Sequence, residues 1–197
     1  MAFPLAPLII FAALIALVLL SRKYKNEPTD DSDCITLPVD IPLAMKPSPL
    51  LDTSPNYIWE HVYLGDQRDA FDLKHLKELK IDYILNVSDV FGDTVHFYYE
   101  NAPYIQYYGM PIYDVPEFPI EHYFGRAITI IDQARREHKN ILVHCQAGKS
   151  RSSTIVAAYL MAHSNMTCDE ALSFVRKRRP IIRPNPGFYK SLYAIKK

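Results

Sequence analysis

The run Ile141-Leu142-Val143-His144-Cys145-Gln146-Ala147-Gly148-Lys149-Ser150-Arg151-Ser152 decides how the rest of the chain is read. A short apolar stretch ends in His-Cys, and Arg-Ser follows five residues later. Residues 153–161 (Ser-Thr-Ile-Val-Ala-Ala-Tyr-Leu-Met) then read as helix. The pattern predicts a strand that delivers Cys145 into a tight loop capping a helix N-terminus. Backbone N–H groups of such a loop point inward, and the helix dipole adds partial positive charge. Arg151 adds a planar fork that fits two oxygens of a phosphate. A field that attracts phosphate also favours thiolate, the nucleophilic form of cysteine. One loop therefore binds a phosphoryl group and activates the group that attacks it.

Cysteine, five residues, arginine and then serine resembles the phosphate-binding loop of the cysteine-dependent protein phosphatases. The flanks, from His144 to Ser153 and from Ala158 to Met161, resemble the dual-specificity branch in particular. The likeness continues in Val62-Tyr63-Leu64-Gly65, in Ile84-Leu85-Asn86-Val87 and in Arg183-Pro184-Asn185-Pro186-Gly187-Phe188, so it covers residues 55–195. It implies an α/β fold of the protein tyrosine phosphatase type, hydrolysis of phosphate monoesters through a phosphocysteine, and no cofactor.

Composition agrees with one catalytic domain plus extensions. The 197 residues are 49% hydrophobic, and 22 basic residues balance 22 acidic ones. Neither disorder nor a generic affinity for nucleic acid is indicated. Cys34, Cys145 and Cys168 are too few and too scattered for a disulfide framework, and a reactive thiolate needs a reducing compartment. No CxxC pair or HExxH run supports a metal site.

Residues 2–20 carry no charge, and Ser21-Arg22-Lys23-Tyr24-Lys25 follows at once. As a helix this stretch reaches roughly 30 Å, the thickness of a bilayer's hydrocarbon core. Residues 1–21 are expected to form a transmembrane anchor, with Pro4 and Pro7 where a helix tolerates them best. By the positive-inside rule the domain that follows faces the cytosol. A cleaved signal peptide is the rival reading, but it would carry its positive charge before the apolar stretch and small residues at the cleavage point. A helix buried within the protein is the third. Residues 22–54, with five prolines and the cluster Asp30-Asp31-Ser32-Asp33, read as a Pro-rich linker. Cys34 stands too far from the apolar run to make a good lipidation site. Residues 55–197 then form the catalytic domain.

Within that domain strands and helices alternate, which predicts a mostly parallel central sheet with helices on both faces. Strands are expected at 57–64, 83–87, 104–110 and 141–144. Ala70, Leu73, Leu76 and Leu79 form a helical stripe, and 120–138 reads as a long amphipathic helix. Thr167 and Glu170 make a capping box for the next helix, Pro180 ends it, and 187–195 is a final helix.

Cleavage of a phosphate ester by a thiolate needs an ionised nucleophile, neutralisation of the transferring phosphoryl group, and a proton for the leaving oxygen. Cys145 supplies the first. Arg151 and the loop of Gln146, Ala147, Gly148, Lys149 and Ser150 supply the second. Asp114, in the Pro-flanked loop 111–119, is the candidate for the third and would activate water in the second step. Its place 31 residues before Cys145 matches the family's general acid. Asp89, Asp93 and Glu117 are the competitors. Ser152 reads as a helix N-cap, and the resemblance implies a hydrogen bond to the departing Cys145 sulfur. His144 is expected to order the loop without acting as a base, and Asn185 to brace a turn. The remaining histidines read as surface or core residues.

Gly148-Lys149-Ser150 imitates the end of a nucleotide P-loop, but Val143 stands where that motif needs glycine. Arg176-Lys177-Arg178-Arg179 reads as a solvated helix end whose cations suit the dipole, with anionic substrate or membrane as an alternative. A phosphoprotein is the expected substrate. Lys149 departs from the apolar residue common in the most similar protein-directed members and suits a polyanionic head group, so a phospholipid is the alternative. Gln146 leaves the loop without the double cation of the strongest lipid phosphatases. A phosphate-recognising pseudoenzyme and an RNA 5′-phosphatase complete the alternatives; zero net charge and the Ala-Gly loop count against the latter.

Overall fold

The computed structural model describes residues 54–89, 99 and 102–195, all within a compact unit spanning Pro47–Lys197. The expected anchor at 1–21, the expected linker up to residue 53 with its Cys34, and Asp93 lie outside the described residues. No helix among the described residues is long and apolar enough to cross a membrane.

Among the described residues five strands form one sheet. They are β1 (Asn56–Trp59), β2 (Val62–Gly65), β3 (Ile81–Asn86), β4 (Gln106–Gly109) and β5 (Asn140–His144), in the spatial order β1-β2-β5-β3-β4. Only β1 and β2 pair antiparallel; β2–β5, β5–β3 and β3–β4 run parallel. β5 lies in the middle and is apolar on both faces, as a strand covered by helices must be. Ile141 and Val143 point into the larger core with Val62, Leu64, Tyr83 and Leu85. Leu142 points the other way, into a smaller core with Ile84, Ala70 and Leu76.

The helices divide unequally between those two faces. α1 (Gln67–Phe71) and α2 (Leu73–Glu78) supply Ala70 and Leu76 to the smaller core. α3 (Glu121–Arg136), α4 (Arg151–His163), α5 (Cys168–Arg178) and α6 (Pro186–Tyr193) build the larger core. α4 contacts α3, α5 and α6, and every residue from Ser152 to Leu160 is buried. From Ile155 to Leu160 it is apolar but for the Tyr159 hydroxyl, as a helix buried on all sides must be. The hydroxyls of Ser152, Ser153 and Thr154 before that are hydrogen-bonded.

Two expectations about elements are corrected. The single strand at 57–64 is a hairpin: Glu60 and His61 adopt φ of 22° and 67°, a two-residue turn of the kind that matches strand twist. The helical stripe at 70–79 is two helices broken at Asp72, which both ends α1 and caps α2 by accepting from the His75 N–H. The capping box is present: Thr167 accepts from the Glu170 N–H while Glu170 accepts from the Thr167 N–H.

Candidate active site

β5 ends at the C-terminal edge of the parallel strands, where open α/β sheets place their ligands. Cys145 follows it directly and is buried, 1% exposed. The loop from Cys145 to Ser150 then turns into the N-terminus of α4. Ser150 holds the N-cap position, yet its side chain makes no capping bond. The expectation that Ser152 is the cap is corrected. Ser152 lies inside the helix, and its hydroxyl donates to Cys145 Sγ at 3.2 Å.

The loop's shape follows from where its carbonyls are tied. His144 O accepts from Val87 N–H at 2.9 Å, Gln146 O from Gln67 N–H at 3.3 Å, and Lys149 O from Arg183 N–H at 2.7 Å. Gly148 O accepts from Arg179 Nε at 2.9 Å. Ser150 O accepts from Thr154 N–H at 3.0 Å and from the hydroxyls of Ser153 and Thr154. A peptide is planar and trans, so a carbonyl held outward turns the next residue's N–H inward. No acceptor among the described residues takes the N–H groups of Gln146, Ala147, Gly148, Lys149 or Ser150. Consecutive unpaired amides leading into a helix N-terminus favour negative charge, so this ring of donors is built for an anion. Gly148 makes the turn with φ of 62°, and a Cβ there would stand 2.5 Å from Gly65 O. Only glycine fits.

The side chains around the ring are of two kinds. Gln146, Ala147 and Lys149 are exposed, whereas Ser150 is buried. Arg151 is largely covered, with Nη1 donating to Ile112 O at 3.2 Å and Nε left without a hydrogen-bond partner. Its Nε lies 3.7 Å from Asp114 Oδ2. Asp114 Oδ1 accepts from Ser150 Oγ at 2.7 Å and from Asn185 Nδ2 at 2.9 Å. The Asp114 loop is pinned by buried Ile112, and its Phe118 packs against Tyr113 and Tyr123. It comes so close to α6 that a Cβ on Gly187 would run into the Pro116 carbonyl.

The structure thus brings Cys145, Arg151, Asp114 and Ser152 together. It leaves the described competitors elsewhere: Asp89 is buried and accepts from Tyr107 Oη at 3.0 Å, and Glu117 is exposed on the loop. Asn185 does more than brace a turn, since it caps α6 and also holds Asp114. His144 is wholly buried, with Nδ1 3.4 Å from Cys145 O and Nε2 unpartnered. Burial pulls its pKa down to about 4, which favours the neutral imidazole near pH 7. Among the described residues no three His, Cys, Asp or Glu side chains gather as a metal would require.

The reading of residues 176–179 as a solvated helix end is corrected at Arg179, which is 1% exposed. A signal for this exists in the sequence. Cys168, Ala171, Leu172 and Val175 form the buried stripe of α5, and residue 179 continues it by another four.

Comparison with known proteins agrees with this geometry. The model of the dual specificity phosphatase catalytic domain matches residues 62–197. The crystal structure of DUSP15 is 35% identical, with a TM-score of 0.60 over 70% of this chain and 83% of that one. Human DUSP28 is 26% identical, with a TM-score of 0.62 over 71% and 91%. The human tyrosine phosphatase-like serine/threonine/tyrosine-interacting protein is 28% identical, with a TM-score of 0.58 over 70% and 92%. The phosphate-shaped loop behind β5 and the match over residues 62–197 give one conclusion: this chain belongs to the dual-specificity phosphatase catalytic domain family.

Proposed function

We propose that this protein hydrolyses phosphotyrosine and phosphoserine or phosphothreonine esters of proteins through a phosphocysteine. The observation that carries the reading is the convergence of Cys145, Arg151 and Asp114 on one ring of inward N–H groups. The Cys145 thiolate attacks phosphorus, the ester P–O bond breaks, and the leaving oxygen takes the Asp114 proton. Arg151 and the amides of Gln146 to Ser150 hold the three equatorial oxygens, where charge is spread in the transition state. Asp114, now a carboxylate, takes a proton from water as that water attacks phosphorus. The P–S bond breaks, and Ser152 donates its hydrogen bond to the departing sulfur.

The retained nucleophile and arginine support catalysis over mere phosphate recognition. A second substrate reading, a phosphoinositide or another phospholipid, is favoured by Lys149. It is an exposed cation in the loop with no ion-pair partner among the described residues. Residues 1–21 would anchor the chain in a membrane with the domain in the cytosol, raising the local concentration of either kind of membrane-bound substrate. Carbonate extraction of membranes tests this, since an integral anchor stays in the pellet.

The deciding measurement is phosphate release by the full chain from a phosphotyrosine peptide, a phosphothreonine peptide and phosphoinositide vesicles side by side. Turnover of both peptides exceeding that of the lipids is expected; a lipid preference of ten-fold or so would overturn the protein reading. Cys145→Ser should abolish turnover while keeping substrate bound. Asp114→Ala should slow esters with poor leaving groups by about 10² and spare those with good ones. If it spares both, another group is the acid.

A further inference from the structure

Among the loop carbonyls, that of Gly148 is held by a side chain reaching in from the end of α5. Arg179 Nε donates to it at 2.9 Å, while Nη1 donates to Asn56 Oδ1 at 2.7 Å and to Ser54 Oγ at 3.1 Å. The guanidinium is buried and has no carboxylate at ion-pair distance among the described residues. Burial opposes its charge, countered by the fields of Asp69 and Asp66 and of Cys145 itself. A buried cation with no direct ion pair is costly, and this one stands behind an anion cradle.

We propose that Arg179 is a positioning residue for phosphate binding: from the rear of the loop it holds the Gly148 carbonyl outward, which turns the Lys149 N–H into the ring. The geometry is specific. Gly148 sits in the left-handed region, a conformation that glycine adopts readily because it has no Cβ. The planar fork supplies what glycine lacks, fixing the peptide from one side while its other arm is tied to β1. Asn56 and the preceding Ser54 thus join the domain's first strand to the loop's turn. The inference rests on reading the loop as a phosphate cradle.

The test uses the full chain with Arg179→Gln and Arg179→Lys, with inorganic phosphate as probe. Phosphate affinity is measured by calorimetry, so it is read even if no substrate is turned over, and the thermal midpoint is recorded alongside. Arg179→Gln should weaken phosphate binding about ten-fold and raise KM more than it lowers kcat. Arg179→Lys, which keeps a cationic donor, should recover part of the affinity. Wild-type phosphate affinity in a folded Arg179→Gln protein overturns the proposal. If that variant does not fold, Asn56→Ala removes one anchor of the fork and leaves Arg179 in place. A loss of about three-fold in phosphate affinity supports the role, and an unchanged affinity overturns it.

Discussion

Ser150 carries two hydrogen bonds that a helix N-terminus does not ask of it. Its hydroxyl donates to Asp114 Oδ1 and accepts from the Asn185 N–H at 3.1 Å. A hydroxyl has one proton and two lone pairs, so its orientation is fixed by these two partners. Asn185 Nδ2 donates to the same carboxylate oxygen. The carboxyl is therefore aimed by donors from two separate segments, which leaves Oδ2 toward Arg151. Ser150→Ala should remove one donor and leave the ring of amides intact. We expect kcat on esters with poor leaving groups to fall roughly ten-fold, with KM and phosphate inhibition near wild type. Steady-state kinetics on a leaving-group series checks this. An equal fall on good and poor leaving groups would mean the hydroxyl shapes the cradle and does not aim the acid.

Two elements meet at the acid: the loop of residues 111–120 and the N-terminus of α6. Asn185 caps that helix by accepting from the Phe188 N–H at 3.0 Å, and Pro186 follows with a fixed φ that suits its first turn. Gly187 then lets the Pro116 carbonyl pass where a side chain would stand. Gly187→Ala forces a backbone atom to yield, and the exposed loop gives way more easily than the helix packed through Phe188 and Leu192. Asp114 would move with it. The expected result is a kcat loss of about 10² with phosphate inhibition unchanged, since a shift near 1 Å suffices for that much. Weakened phosphate inhibition would place the damage in the Cys145 loop instead. These elements also show why the sequence was legible in some places and silent in others. The strand, cysteine loop and helix at 140–163, and the Thr167–Glu170 box, are written in contiguous residues, so local pattern reads them. The β1–β2 turn was hidden because Glu60-His61 lacks the glycine or asparagine that usually marks positive φ. Asp114 and Asn185 stand 71 positions apart, and no local period reports such a contact. Arg179 had a local signal, but three neighbouring cations outweighed the apolar stripe it completes.

At the scale of the whole molecule, the central strand couples the site to stability. His144 ends β5, is paired on both sides by β2 and β3, and is shielded from water. Its pKa falls from 6.5 to about 4 because burial disfavours the cation. Between those values the unfolded chain binds a proton that the folded chain refuses, so stability rises with pH across the window. It is fully present above about pH 6.5 and is lost as pH falls toward 4; the shift corresponds to about 3 kcal/mol. The carboxyl groups act mainly at the acid end. Asp66, held down by the Arg68 side chain and two backbone N–H groups against its burial, loses stability there, and Asp69, pushed up by burial, opposes it. The histidine contribution is isolated by subtraction. Denaturant unfolding of the wild type and of His144→Asn should be compared at several values from pH 7.5 to 4. The variant starts less stable, because a packed imidazole is lost, but its stability should be nearly flat above pH 5 while that of the wild type drops. Parallel curves would show that His144 gains its proton without cost. Its Nε2, which has no hydrogen-bond partner in the structure, would then have met water or a carboxylate on protonation. Diverging curves would tie the acid limit of folding to the same buried strand end that delivers Cys145.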